Sequence, residues 1–306
     1  MADGKSQVRV GAVPGSGVEL SFREWHGPEP ADSGPLRLRL PLLLLHGLAS
    51  AAVIWDLTAP LLARERRVVA LDQRGHGQSD KPDDGYDFAT IVADALAAAE
   101  ALGFGERFAV AGHSWGANVA LELAAAHPQR VAALALVDGG FGMLRQRPGA
   151  TWEEISRNLA PPQFAGTPAE TYLGWMRSSI PRWRPELSDI ALNIVELRPD
   201  GTVGPRLARA NHMRILRAMW DEDPDAIFGA IRAPVLYVLA EPAQPDERQD
   251  AFLAAKRRGI ESARQLMAHA PSVEVQWLAE TVHDIPLQRP EALAERIGTF
   301  LREEHV

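Results

Sequence analysis

The chain contains no cysteine, and this absence removes several kinds of chemistry at once. Without thiol groups there is no disulfide bond, no thiolate nucleophile and no zinc or iron–sulfur site built from cysteine ligands. A long hydrophobic run is missing as well, since the longest apolar stretch beside a predicted strand covers only residues 40–45. A helix that crosses a bilayer needs about 20 apolar residues, so we expect no membrane partner.

Positive charge is also scarce: 32 lysine and arginine residues stand against 40 aspartate and glutamate residues, a formal net charge of -8. Because nucleic-acid binding relies on basic patches, we expect no nucleic-acid partner. The basic run Lys256-Arg257-Arg258 fits one polar turn of a helix. Residues 1–13 lack the apolar stretch of a secretory signal, which favours a cytoplasmic location. Composition leaves open whether the chain is a monomer or a homodimer.

Strand and helix patterns alternate along most of the 306 residues. The continuous apolar runs at 40–45 and 67–71 predict strands that are covered on both faces, as in parallel sheets, and the turn residues 14–17 predict a hairpin at the start. Strands are predicted at 8–13, 18–25, 40–45, 67–71, 107–111, 131–137, 234–239 and 273–278. Helices are predicted at 52–63, 88–102, 117–126, 246–268 and 290–304. These repeated units predict an α/β fold, with a mostly parallel sheet of about eight strands flanked by helices.

The alternation stops after the sixth predicted strand. Residues 139–228 show no clear strand pattern and are predicted to form short helices separated by prolines such as Pro161, Pro181 and Pro199. We therefore expect two domains. Residues 1–140 and 229–306 form the core domain, and residues 141–228 form a helical cap, or lid, inserted after the sixth strand.

The segment Gly112-His113-Ser114-Trp115-Gly116 matches the pattern G-x-S-x-G between an apolar strand and an alanine-rich helix. A serine at such a turn is pushed out of the sheet, and the flanking glycines let strand and helix approach closely. A loose five-residue pattern is also found in simple linking turns, so a catalytic role for Ser114 depends on suitable partners elsewhere in the chain.

A serine nucleophile needs a base and hydrogen-bond donors for the negative oxygen that forms during the reaction. His283 lies in a loop after the last predicted strand, at the sheet edge where open α/β folds place their sites, and is the predicted base. His46-Gly47 follows the strand at 40–45. The backbone amide of Leu48 can therefore join that of Trp115 as an oxyanion hole.

Four motifs in this order resemble the α/β-hydrolase superfamily, in its lidded serine-hydrolase branch of esterases, lactonases, proline-iminopeptidase-like and carbon–carbon-bond hydrolases. They are His46-Gly47 after a strand, Asp72-x-Arg74-Gly75-x-Gly77-x-Ser79, Gly112-x-Ser114-x-Gly116, and His283 before Gln288-Arg289-Pro290-Glu291. The resemblance covers nearly the whole chain.

This resemblance implies that Ser114 is the nucleophile and His283 the general base, with an oxyanion hole formed by the Leu48 and Trp115 amides. The dehalogenase and epoxide-hydrolase branches of the superfamily use aspartate at the nucleophile position. Ser114 therefore argues against both of those activities and favours acyl transfer.

The acid of a Ser-His-acid triad is where this sequence departs from the family pattern. The family usually carries it after the strand predicted at 234–239, as a glycine followed shortly by aspartate, but residues 240–246 contain two prolines and no glycine. Some branches carry the acid one strand earlier, where Asp138 ends the sixth strand and precedes two glycines. We favour Asp138, with Asp246 and Glu241 as alternatives.

Aromatic residues of the predicted lid are candidates for substrate binding. We expect an apolar pocket over Ser114 lined by Phe141, Trp152, Trp175, Trp183 and Trp220. Such a pocket favours a small, largely apolar carboxylic ester or lactone as the small-molecule substrate. Hydrolysis of an amide or carbon–carbon bond and a non-catalytic ligand receptor of the same fold are the alternatives. A triad requires no cofactor or metal, and we expect neither, since H-E-x-x-H is absent.

Overall fold

A computed structural model describes residues 8–26, 39–142, 144–146, 149–304 and 306. Residues 1–7, which belong to the segment that lacks a secretory-signal pattern, lie outside the described part. Among the described helices, none combines the length and the apolar character that crossing a membrane requires.

One eight-stranded sheet runs through the centre of the structure. Its strands are β1 (Arg9–Pro14), β2 (Glu19–Trp25), β3 (Leu42–Leu45), β4 (Val68–Leu71), β5 (Phe108–His113), β6 (Val131–Val137), β10 (Val235–Glu241) and β11 (Val273–Ala279). They are ordered β1-β2-β4-β3-β5-β6-β10-β11. The β1–β2 and β2–β4 pairs are antiparallel and all other pairs are parallel. The predicted sheet is confirmed, with every strand end within two residues of its expected position.

Helices cover both faces of the sheet because its central strands are apolar on both sides. Leu43 and Leu45 pack in one hydrophobic cluster, whereas Leu42 and Leu44 pack in a second cluster on the opposite face. The helices of this part are α1 (Ala59–Leu62), α2 (Phe88–Ala101), α3 (Trp115–Ala126), α9 (Glu247–Leu266), α10 (Ile285–Gln288) and α11 (Pro290–Glu303). The two clusters form the hydrophobic core above and below the sheet.

The helix predicted over 52–63 is divided in the structure. A 3-10 turn covers Ala52–Trp55, and α1 begins only at Ala59. Pro60 explains the break, because proline has no N–H to donate to a carbonyl one turn earlier, yet it fits well in the first turn of a new helix.

Between β6 and β10 the chain forms mainly helices, together with a small sheet. The helices are α4 (Trp152–Asn158), α5 (Ala169–Ser179), α6 (Glu186–Ile194), α7 (Arg209–Asp221) and α8 (Pro224–Ala230). The sheet consists of β7 (Thr167–Pro168), β8 (Glu196–Leu197) and β9 (Thr202–Gly204), ordered β7-β9-β8. The sequence predicted no strand here, because two or three residues are too few for an alternating pattern. These strands are defined by pairing between distant segments.

A sharp turn joins β5 to α3 and depends on two glycines. Ser114 lies at the turn with a φ of 55° and a ψ of -121°. A Cβ atom on Gly112 would lie 2.1 Å from the backbone oxygen of Gly116, and one on Gly116 would lie 2.4 Å from that of Leu45. Strand and helix therefore approach too closely for any side chain at either position.

We expect Gly112→Ala to lower the free energy of unfolding by roughly 3 kcal/mol or more, because the added methyl group meets backbone atoms that have no room to move. Urea denaturation followed by circular dichroism measures the change. Gly174→Ala is the matched control: Gly174 is exposed in α5 with no heavy atom within 4 Å of the added Cβ. It should raise stability by about 0.5–1 kcal/mol. Equal stability of Gly112→Ala and the native chain would contradict the close contact.

Candidate active site

Ser114 stands at the carboxyl end of β5, where its hydroxyl faces a cavity of about 720 Å³. Its positive φ is uncommon for a residue with a side chain and is tolerated only where the surrounding structure enforces it. The backbone N–H of Ser114 donates to the carbonyl oxygen of Val137 at 2.9 Å, which ties the turn to the end of β6. The side chain is therefore held at the sheet edge by strand pairing and by the tight turn.

His283 reaches Ser114 from the loop between β11 and α10. Its Nε2 lies 2.9 Å from the Oγ of Ser114, and its Nδ1 lies 2.7 Å from an Oδ2 of Asp138. When Nδ1–H donates to the carboxylate, Nε2 of the neutral ring is free to accept the serine hydroxyl proton. The three side chains form one continuous hydrogen-bonded chain.

Asp138 is the first residue after β6 and is buried, with 4% of its surface exposed. Besides His283, it accepts hydrogen bonds on Oδ1 from the Ala240 N–H at 2.9 Å and from the Lys256 Nζ at 2.7 Å. Burial by itself raises the pKa of this carboxyl. The hydrogen bonds and charges of His283 and Lys256 outweigh burial and lower the pKa to about 2.

The environment of His283 keeps its imidazole more basic than usual. Desolvation acts to lower the pKa of His283, although half of the side chain (51%) remains exposed. The hydrogen bond and negative charge of Asp138 act in the opposite direction and prevail, so the pKa lies above the ordinary value of 6.5. The nearby Asp284 carboxylate adds to this effect.

The two alternative acids are engaged elsewhere. Asp246 caps the N-terminus of α9, where its carboxylate accepts the Gln249 N–H at 2.7 Å. Glu241 forms an ion pair with Arg257 at 2.5 Å on the surface. Asp138 is thus the carboxylate that the structure brings to His283, and the glycine-free segment after β10 instead forms a helix cap.

Leu48 and Trp115 both border the cavity beside Ser114. Trp115 is the first residue of α3, and the first amides of a helix have no partner within the helix. Within the described residues, the backbone N–H groups of Leu48 and Trp115 donate no hydrogen bond to the protein. Both amides therefore remain available to an oxygen bound at Ser114.

Two buried histidines hold the Leu48 loop in place. The Nε2 of His46 accepts the Gln73 N–H at 3.0 Å, and the Nε2 of His76 accepts the Ala49 N–H at 3.2 Å. Burial lowers the pKa of His46 to about 4 and that of His76 to about 3, so both rings are neutral at pH 7. The ring of His76 also stacks on Trp115 with 5.3 Å between centroids. Through these contacts the two histidines hold the Leu48 loop next to Trp115.

The cavity wall is largely apolar. Its apolar side chains are those of Leu48, Phe141, Leu144, Leu159, Leu216, Met219, Pro242, Phe252, Leu253 and Val282. Polar groups are few and include Asn118, Gln249 and Thr281. Helix α9 contributes part of this wall, so the cavity is bounded by the core as well as by the segment between β6 and β10.

Of the five aromatic residues expected to line the pocket, the structure places only Phe141 there. Trp152 and Trp220 pack against each other at 6.1 Å, beneath the arginines of the surface. Trp183 packs in the hydrophobic interior next to α5 and α6, and Trp175 is half exposed (50%). The expectation fails for these four because helical spacing does not distinguish an aromatic side chain that faces a cavity from one that fills a core.

Lys256 is the site residue that sequence reasoning missed. The basic run 256–258 was expected to form a polar turn, yet Lys256 is only 3% exposed and contacts the Asp138 carboxylate. One signal was present: Lys256 stands three residues after Leu253 and four before Ile260, so it lies on the apolar face of α9.

Among the residues that the structure describes, no cluster of three or more histidine, aspartate or glutamate side chains has the arrangement of a metal site.

A family model described as the alpha/beta hydrolase fold matches residues 41–180. The thioesterase domain from the curacin biosynthetic pathway superposes on the structure with a TM-score of 0.71 at 20% identity, covering 95% of this chain and 99% of that domain. The chain has the α/β-hydrolase fold.

Sequence relatives match a shorter part of the chain. A fluoroacetate dehalogenase from Burkholderia sp is 40% identical over 102 residues, which cover 32% of this chain and 33% of the relative. A serine hydrolase-like protein from Danio rerio is 41% identical over 100 residues, covering 32% and 30% respectively. The chain thus spans about a third of the length of the curated relatives that it matches.

The hydrogen bond between Asp138 and His283 predicts a measurable change in acidity. Asp138→Asn removes the negative charge beside the imidazole. We therefore expect the pKa of His283 to fall by about one unit or more relative to the native protein, which is roughly the effect of a neighbouring charge. Proton NMR titration of the histidine rings measures it, with His283→Gln used for assignment. Asp246→Asn, which alters a helix cap, should leave the titration unchanged. A similar titration in the two aspartate variants would contradict the assignment.

Proposed function

We propose that the protein is a serine hydrolase that cleaves a small, largely apolar carboxylic ester or lactone. The observation that carries this proposal is the hydrogen-bonded chain from the Ser114 hydroxyl through His283 to Asp138 at the floor of an apolar cavity. In this proposal Ser114 is the nucleophile, His283 the general base and Asp138 the acid that orients and stabilises the imidazolium. The amides of Leu48 and Trp115 serve as the oxyanion hole.

The reaction proceeds through an acyl-enzyme. The Ser114 oxygen bonds to the substrate carbonyl carbon while Nε2 of His283 takes the hydroxyl proton, and the carbonyl oxygen becomes an anion facing the two amides. As that tetrahedral intermediate collapses, the bond to the alcohol oxygen breaks and His283 returns the proton to the leaving alcohol. Water, deprotonated by His283, then attacks the acyl carbon, and the carboxylic acid leaves as Ser114 regains its proton.

The apolar cavity favours a substrate whose acyl or alkyl group is uncharged. Its wall is mainly aliphatic and aromatic, and Lys256, the cation at its edge, is already paired with Asp138. An uncharged ester loses little hydration on entering such a cavity, whereas an ionised group has to give up its water shell.

The nucleophile type separates this proposal from two activities named among similar proteins. Fluoroacetate dehalogenase and soluble epoxide hydrolase are names of sequence relatives that match about a third of the chain. The superfamily branches with those activities use a carboxylate nucleophile, which forms an ester intermediate. A serine hydroxyl activated by His283 is suited to acyl transfer instead.

A fluorophosphonate probe tests the nucleophile directly. We expect the native protein to gain one phosphonyl group on Ser114, since an activated serine displaces fluoride from the probe phosphorus, and Ser114→Ala to remain unmodified. Asp138→Asn should react about 10³-fold or more slowly, because the imidazole loses its orienting partner. Intact-mass and peptide mass spectrometry measure the modification, with Asp246→Asn as the matched control at the native rate.

An unlabelled native protein would count against catalysis and in favour of a ligand receptor of the same fold. Bond preference is measured with one acyl group presented both as an aryl ester and as the corresponding anilide. Faster turnover of the anilide would replace the ester proposal with amide hydrolysis.

The raised pKa of His283 sets the pH dependence of turnover. The base acts only when neutral, so kcat/KM should rise with pH and level off once pH exceeds the pKa of His283, with a midpoint above 6.5. Asp138, with a pKa of about 2, stays ionised throughout. The profile is measured with 4-nitrophenyl acetate between pH 5 and 9, after subtracting the rate with Ser114→Ala. A midpoint at or below 6.5 would contradict this electrostatic account.

A further inference from the structure

A lysine lies buried beside the acid of the triad. The Nζ of Lys256 is 2.7 Å from Oδ1 of Asp138 and 3.0 Å from the carbonyl oxygen of Ala240, and the side chain is 3% exposed. Lys256 comes from α9, whereas Asp138 follows β6 and Ala240 belongs to β10. The contact therefore joins three separate elements at one carboxylate.

The surroundings of this ammonium group are aromatic. The rings of Phe141 and Phe252 have centroids 5.4 Å from the Nζ of Lys256, and that of Trp277 is 5.9 Å away. Aromatic faces stabilise a cation, but they replace only part of its hydration. The Asp138 carboxylate is the charged partner that offsets the cost of burying the lysine.

The hydrogen bonds divide the two oxygens of Asp138 between different partners. Oδ1 accepts from Lys256 and from the backbone of Ala240, while Oδ2 accepts, among the described residues, only from His283. A carboxylate can turn about its terminal bond, but here a turn would break the two bonds to Oδ1. Lys256 therefore holds Oδ2 in the direction of Nδ1 of His283.

The charge of Lys256 also acts on His283 across the carboxylate. The charged groups that face the imidazole are Asp138 after β6, Asp284 on its own loop and Lys256 on α9. The ring of His113 on β5 lies 4.9 Å away, and burial lowers its pKa to about 4, so it contributes no charge at pH 7. Among these groups, the two carboxylates favour the imidazolium and Lys256 opposes them.

We propose that Lys256 is a positioning residue of the active site, which fixes the Asp138 carboxylate toward His283 and places a positive charge on the far side of that carboxylate. This inference rests on the proposed function, because it assigns a role in activating Ser114. It separates two tasks at the acid: Oδ2 orients the base, and the cation at Oδ1 keeps the base neutral at a lower pH than the carboxylates alone would allow.

The test compares Lys256→Met, which removes the cation and its hydrogen bonds, with Lys256→Arg, which retains a cation. For Lys256→Met we expect the rising limb of kcat/KM to move to higher pH by roughly one unit, because a positive charge near His283 is lost. On that limb the shift corresponds to about tenfold lower kcat/KM at a given pH. In Lys256→Arg, which keeps a positive charge, the rising limb should stay close to its native position. The matched control is Arg257→Gln, a neighbouring cation that pairs with the exposed Glu241, and it should keep the native profile.

Each result decides between a positioning role and the other roles open to a buried lysine. An unchanged limb in a folded Lys256→Met protein would overturn the proposal and leave the lysine as a support for folding. A higher KM with an unchanged kcat and limb would overturn it in favour of substrate binding. Fluorophosphonate labelling of native Ser114 is checked first, since its absence refutes the proposed function and not the geometry at Asp138.

A double substitution keeps the proposal testable where Lys256→Met is unstable. Because Lys256 orients Asp138, and because Asp138→Asn already lowers the pKa of His283, adding Lys256→Gln to Asp138→Asn should slow the labelling of Ser114 at pH 6 clearly less than the same change does in the native background. In the native background the same Lys256→Gln change should slow labelling at pH 6 by about tenfold. Equal losses in both backgrounds would show that the lysine acts independently of Asp138 and would overturn the inference.

Discussion

The close crossing of β5 and α3 is the constraint on which the rest of the site depends. Because Gly112 and Gly116 have no side chains, the helix begins directly above the strand end and the backbone of Ser114 is forced to a positive φ. That geometry lifts the serine hydroxyl off the sheet and leaves the Trp115 amide without a helical partner. A methyl group at either glycine would meet backbone atoms and displace the Ser114 hydroxyl and the Trp115 amide from their positions at the cavity.

The Asp138 carboxylate is the second point at which separate elements meet. It receives His283 from the loop after β11, Lys256 from α9 and a backbone amide from β10. Two opposing effects are balanced there: the negative charge makes His283 more basic, while the lysine keeps the carboxylate ionised and moderates that basicity. The acidity of the His283 imidazole therefore depends in part on α9, a helix that contributes no residue to the hydrogen-bonded chain of Ser114, His283 and Asp138.

Much of the site could be anticipated because parallel strands end at a common edge. Ser114, Asp138 and His283 each follow a strand of the parallel part of the sheet, so their positions along the chain predict that they lie close together. Asp246 and Glu241 were reasonable alternatives for the same reason. Local contacts excluded them: Asp246 caps a helix, and Glu241 forms an ion pair with Arg257. The sequence could not show whether Trp152, Trp175, Trp183 and Trp220 line the cavity. Periodicity indicates which residues face the interior, but it does not show whether they face a cavity or fill a core.

The sequence by itself determined the sheet, its flanking helices and the turn that carries Ser114, because these depend on apolar periodicity and on glycines at short range. Only the tertiary structure decided which carboxylate meets His283, which aromatic residues face the cavity and why a lysine of a basic run is buried. Those outcomes depend on contacts between residues more than 100 positions apart, such as Asp138 with Lys256 and His283, at separations of 118 and 145. No local pattern encodes such distances, since they follow from how the packed elements align at one edge of the sheet.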